Sequence, residues 1–90
     1  MTYKVQLSPH AVREYKKLPP PIKPKILTAL DVLEHHPLAG PKIKRLKGRL
    51  REYCRYRVED YRIVYTVDQK EHIIYVDYIQ HRKDIYRNIE

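Results

Sequence analysis

Phenylalanine and tryptophan are absent from this chain, cysteine occurs once and glycine twice in 90 residues. A lone Cys54 excludes an intrachain disulfide and fits a reducing cytosol. No apolar run approaches the roughly 20 residues that a membrane-spanning helix needs. The opening MTYKVQLSPH carries no hydrophobic signal-peptide core. Two glycines leave no glycine-rich phosphate loop, and neither a Ser/His/Asp spacing nor a paired-carboxylate motif is present. The expectation is one cytoplasmic domain over residues 1–90, with no membrane contact.

What is present is sharply distributed. Between Lys42 and Arg57 lie eight Lys or Arg and one acid, Glu52, so this stretch supplies +7 of the net +8. Charge this localised points to a densely anionic partner, most simply a phosphate backbone. All nine aromatics are Tyr, and seven fall between Tyr53 and Tyr86. Tyr buries its ring while keeping the hydroxyl wet, which suits a half-exposed sheet. It also stacks on bases, although sheet packing is the expectation for most of these.

The fold class expected is α+β. Tyr3–Leu7 alternates as a short strand, and Ser8-Pro9 caps and opens a helix over residues 9–18, with Ala11, Val12, Tyr15 and Leu18 at helical spacing. Pro19, Pro20 and Pro21 stop it. Ile22, Ile26, Ala29, Leu30 and Leu33 form the stripe of a second helix, with Pro24 in its first turn and Pro37 beyond its end. The pair makes a helical hairpin. From Leu50 the period becomes two: Leu50–Val58, Tyr61–Asp68 and Ile73–Ile79 read as an antiparallel three-stranded meander with tight polar connections. Gly40-Pro41 and Gly48 mark loops around the basic run, and a short helical segment closes the chain.

Alternation puts Tyr53, Arg55 and Arg57 on one face of their strand and Cys54, Tyr56 and Val58 on the other. In a meander Arg55, Arg57, Arg62 and Arg82 can converge, with His81 and Tyr86 at the rim. Such a cluster suits a transition state that gains negative charge between fixed cations. The alternative is a solvated basic face, with Arg62 paired to Asp77. Adjacent His35 and His36 cannot share a helical face and no further ligands complete a tetrahedral set, so no metal is expected.

V-x-L-S-P-x-A-x-R-E-x-x-K-L-P (Val5–Pro19), L-K-G (Leu46–Gly48), Y-R-I-V-Y (Tyr61–Tyr65) and H-R-K-D-I-Y-R (His81–Arg87) together resemble the RelE toxins of the RelE/ParE superfamily over the whole chain. The resemblance implies the toxin of a type II toxin–antitoxin system: an mRNA interferase that cuts message in the ribosomal A site by 2′-hydroxyl attack on the adjacent phosphate, without metal or cofactor. On the matched motifs, Arg55, Arg57 and Arg62 would stabilise charge, Arg82 would sit at the leaving oxygen or the scissile phosphate, and His81 or Tyr86 would move the proton. The family pattern has lysines where Arg55 and Arg57 stand, and arginine is a poor general base.

Lys42, Lys44, Arg45, Lys47, Arg49 and Arg51 would hold ribosomal RNA through phosphates. The implied partners are the ribosome, mRNA and a cognate antitoxin with an acidic helical segment, operator DNA being reached only through that antitoxin. Two alternatives stand beside this reading: a ParE-like inhibitor of gyrase, and a non-catalytic RNA-binding module.

Overall fold

A computed structural model describes residues 2–89, with side chains described through Ile85. In chain order the elements are β1 (Lys4–Leu7), α1 (Pro9–Lys16), α2 (Lys23–His35), β2 (Ile43–Arg45), a 3-10 turn (Gly48–Leu50), β3 (Cys54–Val58), β4 (Tyr61–Asp68), β5 (Ile73–His81) and α3 (Arg82–Ile89). The helix signals operate as expected. Ser8 accepts a hydrogen bond from the Ala11 amide (3.0 Å) to cap α1, and Pro24 occupies the first turn of α2.

β3, β4 and β5 form the antiparallel meander, but the sheet is larger than that. It has five strands in the order β1-β5-β4-β3-β2, with β1 parallel to β5 and β2 antiparallel to β3. The added strand comes from the basic run, where loops were expected. β2 is three residues long with two exposed cations, a composition that also discourages pairing by its free edge. β3 begins at Cys54 rather than Leu50, because Gly48 at φ +68° opens a 3-10 turn that the Tyr53 amide closes on the Leu50 carbonyl (2.8 Å). β5 runs two residues past Ile79, to His81.

One sheet face is the core. Ile26, Ala29, Leu30 and Leu33 of α2 and Ala11 of α1 are buried on Cys54, Tyr56, Val58, Ile63, Tyr65, Ile74, Val76 and Ile79. Each large apolar side chain so buried contributes roughly 1.5–3 kcal/mol. Each helix of the expected hairpin packs on the sheet, α1 chiefly on β5 and β1 and α2 on β1 and β3. Val12, placed in the apolar stripe of α1 by its spacing, faces solvent instead. Where β1 stops at Leu7, α1 takes over the sheet edge, and the Ile79 amide donates to Glu14 Oε1 (3.0 Å). No helix among the described residues is long and apolar enough to cross a membrane.

Candidate nucleic-acid interface

The opposite face of the sheet carries the cations. Alternation along β3 turns Cys54, Tyr56 and Val58 inward, as expected, so Arg55 and Arg57 point to the other side. Pairing sets their neighbours: Lys44 stands opposite Arg55, Arg55 opposite Val64, and Arg57 opposite Arg62. The segment from Leu46 to Tyr53 builds a wall beside them. It is tied down by Leu46 N–H to the Tyr53 carbonyl (3.0 Å) and by an Arg45 guanidinium bond to the Arg51 carbonyl (3.4 Å).

Between wall and sheet lies a groove of about 450 Å³. Its cationic lining is Lys44, Arg45, Lys47, Arg49, Arg55 and Arg62, its apolar lining Leu46, Leu50, Val64 and Ile85, and no acid among the described residues lines it. Arg62 is only 8% exposed, and its Nη1 donates to the carbonyls of Glu59 (2.8 Å) and Tyr61 (2.9 Å) at the β3–β4 turn. A guanidinium fixed by two carbonyls is oriented before any anion arrives. The groove can therefore bind a phosphate-bearing chain and stabilise charge that develops on it.

The remaining candidates are placed elsewhere. Arg57 shares the cationic face but is exposed beside the groove rather than within it. Lys42 lines a separate depression next to α2 with Val32 and Tyr56. Arg51 ends the 3-10 turn and faces solvent. His81 is not at the rim: because β5 continues past Ile79, alternation returns it to the helix side, where its ring meets Tyr61 edge-on at 5.3 Å. Its Nδ1 accepts from the Lys83 amide (3.2 Å), so this imidazole caps α3. Arg82 lies at the hairpin tip, its amide on the Asp60 carbonyl (2.7 Å) and its Nε 3.8 Å from the Asp60 carboxylate. Tyr86 belongs to α3 by its backbone, and its side chain lies outside the described residues.

The apolar floor of the groove was missed in the sequence, although Leu46, Leu50 and Ile85 each interrupt a basic or polar run. Asp77, considered there as a partner for Arg62, interacts with the Tyr53 hydroxyl, and with partial burial this raises the Tyr53 pKa above its ordinary value. Cys54 is buried and its thiol is pushed up by desolvation, so it is no ready nucleophile.

Residues 5–86 match the family model of the ParE toxin of the parDE type II toxin–antitoxin system. The RelE1 protein of Methanocaldococcus jannaschii is 31% identical over 90 residues, spanning 98% of this chain and 99% of its own. In three dimensions the chain resembles one from the toxin–antitoxin complex RelBE2 of Mycobacterium tuberculosis, with a TM-score of 0.81, 28% identity and coverage of 91% and 100%. It also resembles a chain of the RelE–RelB complex of Pyrococcus horikoshii, with a TM-score of 0.77, 29% identity and coverage of 91% and 97%.

Proposed function

Since the chain belongs to the RelE/ParE superfamily of type II toxin–antitoxin toxins, we propose that it is a ribosome-dependent mRNA interferase acting in the A site. The observation that carries this reading is the groove itself, lined among the described residues by six cations and no acid, with Arg62 already oriented. Binding of a single-stranded backbone releases counterions, with an affinity slope of roughly −0.7 per phosphate contacted.

In the proposed reaction a ribose 2′-oxygen loses its proton and attacks the adjacent phosphorus. The bond to the 5′-oxygen breaks, that oxygen takes up a proton, and a 2′,3′-cyclic phosphate and a 5′-hydroxyl result. Arg55 and Arg62, with Arg57 beside them, offset the extra charge of the pentavalent phosphorane. Arg82 reaches the phosphate only by leaving Asp60, an exposed pair that holds it weakly. A guanidinium cannot act as base at neutral pH, and His81 faces the helices. Proton transfer therefore falls to Tyr86, or to Lys44 or Lys47 in the groove.

Of the cations in the basic run, Lys42 and Arg51 lie outside the groove and serve the ribosomal RNA. An acidic helical antitoxin would cover the same cations, and the RelB–RelE complexes among the structural relatives support such a partner.

Toeprinting of a defined message tests this, comparing wild-type protein, Arg55→Ala and ribosome-free RNA. Cleavage confined to A-site codons and reduced about 10²–10³-fold in Arg55→Ala, the usual cost of losing one such donor, supports the reading. Intact message in every lane overturns it in favour of gyrase inhibition or of a purely binding role.

A further inference from the structure

The cationic face does not end at the groove. Leu46 and Leu50, which line it, are both hydrogen-bonded through the backbone to Tyr53, which anchors the wall of the groove. Alternation puts Tyr53 on the face opposite Cys54, and its hydroxyl interacts with the Asp77 carboxylate of β5, two strands away with β4 in between. Tyr75, opposite Thr66 in the β4–β5 ladder, turns to the same face because its neighbours Ile74 and Val76 are in the core. At 39% exposed, it is among the most accessible large hydrophobic side chains of the described residues.

We propose that Tyr53 and Tyr75 form a nucleobase-stacking subsite that continues the phosphate groove, so that single-stranded RNA lays its backbone on Lys44 and Arg55 and its bases on the two rings. The proposal rests on the RNA reading above and adds where the bases go. A base has a π-face whatever its identity, so the subsite takes any sequence and adds affinity without codon choice. Asp77 acts as a positioning residue: by interacting with the Tyr53 hydroxyl it fixes the ring, reducing the rotamer freedom lost on stacking.

The test is fluorescence anisotropy with two short 2′-O-methyl strands of equal charge, an oligoadenylate and its abasic counterpart. Both resist 2′-hydroxyl chemistry, so binding is read without cleavage or ribosomes. Wild-type protein should prefer the oligoadenylate by on the order of tenfold, the effect of about one stacked base. Tyr75→Ser should bring the ratio close to one while leaving the salt slope intact. Tyr53→Phe keeps the ring but frees it from Asp77, and should lower the ratio part of the way. Arg55→Ala should weaken both strands and flatten the salt slope without changing the ratio. A variant that folds poorly loses affinity for both strands alike, so the ratio is its own control.

Equal affinity of wild-type protein for the two strands would overturn the subsite and leave the tyrosines as a protein-contact face. A ratio that survives in Tyr75→Ser would overturn it too. Absence of binding to either strand at low salt would instead remove the RNA reading on which it rests.

Discussion

Arg57 and Arg62 stand directly opposite each other across the β3–β4 ladder, one exposed and the other buried against the carbonyls of its own hairpin. Like charges in facing positions oppose pairing, by roughly 0.2–1 kcal/mol. Arg57→Thr should therefore raise the stability of the free protein by about that much in urea unfolding at low salt. The difference should shrink as salt screens the pair, because Arg57 is exposed. The same variant should bind RNA less tightly. A loss of stability instead would mean that Arg57 is held by something other than a ligand.

Tyr65 is fully buried and donates its hydroxyl to the Pro37 carbonyl at 2.8 Å. Tyr65→Phe strands that carbonyl and should cost about 1–3 kcal/mol. Burial, with Cys54 and Tyr56 close by, also raises the Tyr65 pKa well above its usual 10.0. The folded chain thus keeps a proton that the unfolded chain gives up, so stability falls as pH rises above about 10. Urea midpoints taken at pH 9 and above should drop more steeply for wild type than for Tyr65→Phe.

His81 illustrates what the sequence could and could not show. The period-two pattern from Tyr61 to Asp68 matches β4 residue for residue, and the inward and outward assignment of Arg55 and Arg57 follows from it. Those are local regularities. His81 was misplaced because a face assignment depends on where the strand ends, and β5 ends two residues later than its apolar pattern. β2 is too short for any period, and the parallel pairing of β1 with β5 joins residues about 70 positions apart without local trace. The groove was legible as charge but not as shape, because its wall depends on Gly48 at positive φ and its apolar lining gathers Leu46, Leu50, Val64 and Ile85 from separate parts of the chain.

A cap rather than a base is the role this structure gives His81. His81→Ala should destabilise α3 and cost about 0.5–2 kcal/mol, the range for loss of an N-terminal cap. His81→Asn supplies another acceptor and should recover most of it. Cleavage by His81→Asn should keep the wild-type pH–rate profile; disappearance of an ionisation from that profile would return the imidazole to catalysis.

Glu14 closes the one stretch of sheet edge that β1 leaves open. β1 pairs only as far as Val76, yet β5 continues, and its Ile79 amide points at the edge. Glu14 Oε1 accepts that amide at 3.0 Å and lies 3.3 Å from His10 Nε2, on a carboxylate that is largely shielded from solvent. An amide left there without a partner costs about 1–3 kcal/mol. Glu14→Ala should show that loss in denaturant unfolding, with hydrogen exchange accelerated at Ile79 and much less at Val64 inside the sheet. Glu14→Gln keeps a side-chain oxygen acceptor and should retain most of the protection, separating the amide bond from the contact with His10. Unchanged exchange at Ile79 in Glu14→Ala would show that the edge is satisfied without the carboxylate, α1 then being held by its Ser8 cap and its packing on β5 and β1.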